Sequence, residues 1–143
     1  MLFKGKFAFL SNFILVPIEF EGHTYRSVEH AYMASKTLDE SVREHIRTLK
    51  KPSDAKKYGK TIILRDDWES VKYSLMEGFV RQKFSEKNID LLTKLVLVED
   101  EIVEENYWHD VYWGKCTCKV HLGAGQNKLG EILQKIRVEA LSE

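Results

Sequence analysis

The chain of 143 residues is poor in the features that punctuate or staple a fold, having two prolines, two cysteines and eight glycines. Pro17 and Pro52 alone interrupt the backbone as prolines, and no repeat, low-complexity tract or Gly/Ser linker marks a domain boundary. Cys116 and Cys118 stand one residue apart, a spacing poorly suited to an internal disulfide and ordinary for reduced thiols. There is no excess of either charge: 22 basic and 22 acidic residues cancel, which excludes a whole-molecule field drawing the protein onto nucleic acid or an anionic membrane. Any charged ligand has to be held locally. No apolar run approaches the roughly 20 residues of a membrane span, and Met1-Leu2-Phe3-Lys4-Gly5 does not read as the start of a signal peptide. The expectation is one soluble, cytoplasmic domain over residues 1–143, with material for a single core.

What is present is helical periodicity. Ile18 and Phe20 alternate with polar residues and Glu21-Gly22 offers a tight turn before His23-Thr24-Tyr25, which predicts a short N-terminal β-hairpin. Ser27 caps a helix to about Lys36, with Val28, Ala31, Tyr32 and Ser35 on one face and Glu29, Met33 and Lys36 on another. A second helix fits Asp39 to Leu49, and Pro52 starts a short turn ended by Gly59. The longest stripe, Trp68, Val71, Leu75 and Phe79, with Met76 and Val80 less regular, predicts a helix to Phe84. Asn88 caps another helix bearing Leu91, Leu92 and Leu95, and Lys128 to Leu141 forms the last. The fold class is therefore mainly α (α+β with a minor sheet), a compact single domain.

Three stretches carry chemistry. Glu29 falls in the first turn of a capped helix, where the dipole favours an ionised carboxylate, and shares a face with Lys36; dipole compensation alone also accounts for it. Asn106-Tyr107-Trp108-His109-Asp110-Val111-Tyr112-Trp113-Gly114 packs four aromatic rings and an acid into nine residues without periodicity. Such rings stack flat heterocycles, and Asp110 among them is expected to be partly desolvated, its pKa raised, as a proton donor or water-activating partner to Glu29. An aromatic loop pinned by Asp110 as a turn residue is the competing reading. Gly123-Ala124-Gly125-Gln126-Asn127 enters the last helix, where amides and an Asn127 cap suit a phosphate if Lys36 and Arg137 converge on it. His109, Cys116, Cys118 and His121 are zinc-ligand types within thirteen residues. Because Cys-x-Cys reaches one metal only with a constrained backbone, plain thiols are the favoured reading, with no metal and no cofactor expected.

In order along the chain, Phe9-Leu10-Ser11-Asn12-Phe13, Ser27-Val28-Glu29-His30-Ala31-Tyr32 with Lys36, Ala55-Lys56 before Gly59, Asp67-Trp68, Asn106 to Asp110 with Trp113-Gly114, and Gly123, Gly125, Asn127, Leu129-Gly130, Ile132-Leu133 and Arg137 resemble the YbiA-like, or NADAR, family. The resemblance implies a compact, mainly helical domain and an N-glycosidase acting on riboflavin-pathway ribosylamino phosphates or on ADP-ribose attached to a base such as guanine. It implies Glu29 and Asp110 as catalytic acids, Trp68 and Trp113 as walls, and Asn12, Lys36, Gly125, Asn127 and Arg137 as ligand contacts. ADP-ribosylated nucleic acid is among the substrates the resemblance implies, and a non-catalytic module gripping NAD or ADP-ribose is the alternative.

Overall fold

The computed structural model describes residues 1–142. Their contacts fall into two compact units, Asn12–Lys87 and Met1–Ser11 with the chain from Asn88 onward. Each unit has its own buried apolar set.

In the Asn12–Lys87 unit, β1 (Leu15–Phe20) and β2 (His23–Ser27) form the expected antiparallel hairpin. Glu21 and Gly22 both take positive φ, 45° and 84°, the two-residue turn whose twist matches that of the flanking strands. Val16, Ile18 and Phe20 point inward while their neighbours are exposed. Register slips between Leu15 and Ile18, which places Pro17, unable to donate a ladder bond, at the irregularity. Phe20 then meets Phe79 edge to face, ring centroids 5.2 Å apart.

Helix α1 (Val28–Ser35) begins where β2 ends. The Ser27 hydroxyl accepts from the His30 amide at 3.1 Å, satisfying one of the helix's orphan donors. Every residue of α1 is buried, so the two faces read from its spacing are both interior. It is packed by α2 (Glu40–Thr48), α3 (Pro52–Gly59) and α4 (Trp68–Lys83). The segment 52–59 is a full helix rather than a short turn, because Pro52 at its start forfeits only an amide without an intrahelical partner. Gly59 is required there, since a β-carbon would run into the Met33 side chain of α1. In α4 the order of burial differs from the stripe: Met76 and Val80 are interior with Trp68 and Phe79, whereas Val71 and Leu75 are half-buried.

Lys83 completes that inward face at 1% exposure. Burial pushes its ammonium down from the usual lysine range to about 7. The folded state therefore binds fewer protons than the unfolded chain between that value and the ordinary 10.5, so this residue's penalty is full below the folded value and is relieved as pH rises through the window. The melting-temperature difference, Lys83→Met minus wild type, is expected to shrink steadily from about pH 6 to about pH 10; a pH-independent difference would show that Lys83 is not titrating in this range.

In the other unit, residues 5–10 form a 3-10 turn that buries Phe9 and Leu10. Helix α5 (Ile89–Val96) and helix α6 (Lys128–Leu141) pack on each other. Asn88 precedes α5 without a side-chain cap bond, a short 3-10 turn leading in instead. Leu129, Ile132, Leu133 and Ile136 of α6 are buried as their spacing predicts. The aperiodic stretch contains a parallel pair, β3 (Glu105–Asn106) and β4 (Lys115–Cys116), too short to leave a period-2 pattern. No helix among the described residues is long and apolar enough to cross a membrane.

Candidate functional site

The Asn12–Lys87 unit collects five sites of chemical interest around α1. Glu29 lies in the first helical turn, 8% exposed, where the positive end of the helix dipole favours negative charge. Its amide donates to the Asn12 carbonyl at 3.1 Å, and the Asn12 side-chain amide lies 3.6 Å from the Met76 sulfur. One turn on from Glu29, Tyr32 packs against Trp68 with ring centroids 5.2 Å apart. Another turn on, the Lys36 ammonium lies 5.8 Å from the Tyr32 ring, within cation–π range. Helical spacing puts Tyr32 on the face of Val28 and Ala31 and gives it no ligand role; its i+3 relation to Glu29 and i−4 relation to Lys36 are the available signal.

Trp68 is held by local polar contacts. The Arg65 amide donates to the Lys36 carbonyl at 2.7 Å, and its guanidinium bonds Asp67 at 2.6 Å. That guanidinium holds the Asp67 carboxyl below its ordinary range. The start of α4 is thereby tied to the end of α1.

His30, next to Glu29, has a structural task. Its Nε2 meets the Leu49 carbonyl at 2.9 Å and its Nδ1 meets the Ser27 hydroxyl at 2.6 Å. A carbonyl only accepts, so Nε2 carries the proton and Nδ1 accepts from the hydroxyl. Desolvation first, then the nearby Arg26 charge, lower its pKa, outweighing the Leu49 bond; the ring is a neutral bridge. His23 and His45 are exposed.

In the second unit the aromatic loop is built around Asn106, which is fully buried. Its side chain donates to the Asp110 carbonyl at 2.8 Å and accepts from the Asp110 amide at 3.1 Å, clasping residues 106–110. Asp110 in turn accepts the Tyr112 and Trp113 amides through Oδ1, at 3.1 and 2.9 Å. This is the turn-forming role weighed against catalysis, and the residue performs it. Trp113 is buried and meets Tyr112 edge to face at 4.8 Å; Tyr107 and Trp108 pair in the same manner at 5.2 Å and are exposed. The sequence marks Asn106 only as an amide four residues before an acid.

The helix-start anion site is largely taken up by the protein itself. The amides of Gln126, Asn127, Lys128 and Leu129 donate to the carbonyls of Val111, Gly114, Tyr112 and Trp113, so these donors hold the aromatic loop. The Asn127 side chain accepts from the Glu104 amide at 2.9 Å and donates to the Ile102 carbonyl at 3.0 Å, and does not cap α6. Gly125 serves close approach: a β-carbon there would strike the Gly114 carbonyl. Arg137 sits ten residues along α6, about 15 Å by helical rise, with Nη1 donating to the carbonyls of Val98 and Asp100 at 2.9 Å each. Asn127 at the start of α6 and Arg137 well along it thus each hold backbone of the protein.

The four zinc-ligand types do converge. One donor atom from each of His109, Cys116, Cys118 and His121 lies within 4.8 Å of every other. Burial opposes ionisation of the Cys118 thiol, but bonds from the His121 and Val120 amides, the Cys116 thiol and the His121 ring bring it down to about 6.

A model of the NADAR domain matches residues 3–141, through both units. N-glycosidase YbiA of Escherichia coli (strain K12) is 36% identical over 135 residues, spanning 93% of this chain and 81% of that protein. Riboflavin biosynthesis protein VVA0006 of Vibrio vulnificus (strain YJ016) is 30% identical over 133 residues, 92% of this chain and 35% of that one. The NMR structure of the Escherichia coli protein YbiA superposes with a TM-score of 0.79 at 32% identity, covering 99% of this chain and 84% of that one. With buried Glu29, Trp68 and Trp113 in their motifs and the family match running nearly end to end, the chain belongs to the NADAR domain family.

Proposed function

We propose that this protein is a hydrolase of N-glycosyl bonds that cleaves the C1′–N bond of a phosphorylated ribosyl compound. The observation that carries the proposal is Glu29, a carboxylate buried in the first turn of an interior helix, followed on successive turns by an aromatic pair and a lysine. Breaking a C1′–N bond builds positive charge on the ribose ring. A fixed carboxylate in water-excluded surroundings stabilises that charge more in the transition state than in the ground state. The Tyr32–Trp68 pair offers a face for the base or the ribose, and Lys36 supplies a cation for phosphate. Asp110 is assigned to activating water, with direct attack on C1′. Glycosidase and riboflavin-pathway names among the relatives support a ribosylaminopyrimidine phosphate as the substrate class; ADP-ribose on a base is the second class.

The test is incubation with a ribosylaminopyrimidine phosphate, NAD, ADP-ribose and ADP-ribosylated DNA, followed by mass spectrometry for released base. Release of free aminopyrimidine and ribose 5-phosphate is expected from the first. Calorimetric binding to NAD or ADP-ribose with no base released from any compound would make the protein a reader and overturn the proposal.

A further inference from the structure

We propose that His109, Cys116, Cys118 and His121 form a structural zinc site that ties the aromatic loop to the turn after β4. The donor atoms already occupy a volume of the right size. Zinc–sulfur bonds of about 2.3 Å and zinc–nitrogen bonds of about 2.0–2.1 Å set tetrahedral edges of about 3.3–3.8 Å. Here the Cys118 sulfur lies 3.0 Å from His121 Nδ1 and no pair of the four exceeds 4.8 Å. Closing on a metal takes displacements of about an ångström.

The objection to a Cys-x-Cys pair is backbone reach, and the local fold removes it. Cys116 exchanges bonds with the opposite strand, its amide donating to the Ala124 carbonyl at 3.0 Å and its carbonyl accepting from Gly123 at 2.6 Å. Between these, the Leu122 amide donates to the Cys118 carbonyl at 2.9 Å, and Leu122 and Gly123 take positive φ of 52° and 87°. The chain doubles back so that Cys118 and His121 face the Cys116 sulfur. The Cys118 amide donates to the Cys116 sulfur at 3.4 Å and the His121 amide to the Cys118 sulfur at 3.3 Å, offsetting charge that two thiolates bring to a metal. His109 arrives from the loop at φ 71°, its ring 5.4 Å from that of His121. Two sulfurs and two imidazoles saturate a tetrahedral ion and leave no position for water, so the site holds structure rather than activating a nucleophile. On binding, the thiol protons of Cys116 and Cys118 pass to the buffer.

The experiment uses the full chain, reduced, stripped with a chelator and then titrated with zinc(II) or cobalt(II). One zinc per chain is expected by elemental analysis. Cobalt should give intense tetrahedral d–d bands with thiolate charge transfer, and stripping should lower Tm by about 10 °C, restored by zinc. Cys118→Ser and His121→Ala should lose stoichiometric metal, while His45→Ala, outside the cluster, should keep it. The cobalt spectrum of the wild-type chain answers the question even if a variant fails to fold. Wild-type protein with both thiols reduced that gives no tetrahedral cobalt bands, or whose Tm zinc leaves unmoved, would overturn the site, as would a Cys116–Cys118 disulfide that persists in reductant.

Discussion

Glu29→Gln is expected to lower turnover by about a hundredfold to ten-thousandfold while shifting Tm by only a few degrees. Glutamine keeps the length and the hydrogen-bonding plane of the side chain and removes only the charge. If Glu29 stabilises a cationic ribosyl transition state, the loss falls on kcat, because the ribose ring is uncharged in the ground state and its binding changes little when the Glu29 charge goes. If it only complements the helix dipole, the loss falls on stability instead, by about 0.3–1 kcal/mol. Steady-state kinetics with the ribosylaminopyrimidine phosphate, alongside thermal melts of the same preparations, separate these. Full turnover with a lowered Tm would remove Glu29 from catalysis.

Asp110 calls for a pair of variants, since the side chain already performs one task in the turn. Asparagine retains an oxygen able to accept the Tyr112 and Trp113 amides but carries no charge; alanine retains neither. A water-activating role predicts that Asp110→Asn loses about a hundredfold or more in turnover at nearly wild-type Tm. Asp110→Ala should lose at least as much activity and also melt lower, by the about 0.5–2 kcal/mol that such side-chain bonds to backbone amides contribute. A fully active asparagine variant beside a less stable alanine variant would assign Asp110 to the turn alone.

These two residues illustrate how differently the surroundings of the two candidate acids could be read from sequence. Around Glu29 the determinants are local. Ser27 as cap, the i+4 and i+7 spacings and the β1–β2 turn follow from dihedral preference and helical period, and α1, α2 and α4 stand close to where those patterns put them. Around Asp110 they are not. The stretch from Glu104 to Gly125 has no period to read, and its conformation comes from backbone groups paired with partners 4 to 25 residues away, as with Asn106 and Asn127. Glycines there misled for the same reason: Gly125 and the amides before α6 looked open to an anion, whereas they close on the carbonyls of residues 111–114.

The sequence by itself determined the helical class, the hairpin, the capped helix bearing Glu29, the family and hence the expected chemistry, because each is encoded in residues that neighbour one another along the chain or recur in a fixed order. Only the tertiary structure decided that both faces of α1 are interior, that Lys83 is sealed from water, that Arg137 and Asn127 hold backbone carbonyls of the protein, and that two cysteines and two histidines meet. Burial and ligand convergence depend on which segments close over a residue, and side-chain spacing on one element does not specify what covers it from another.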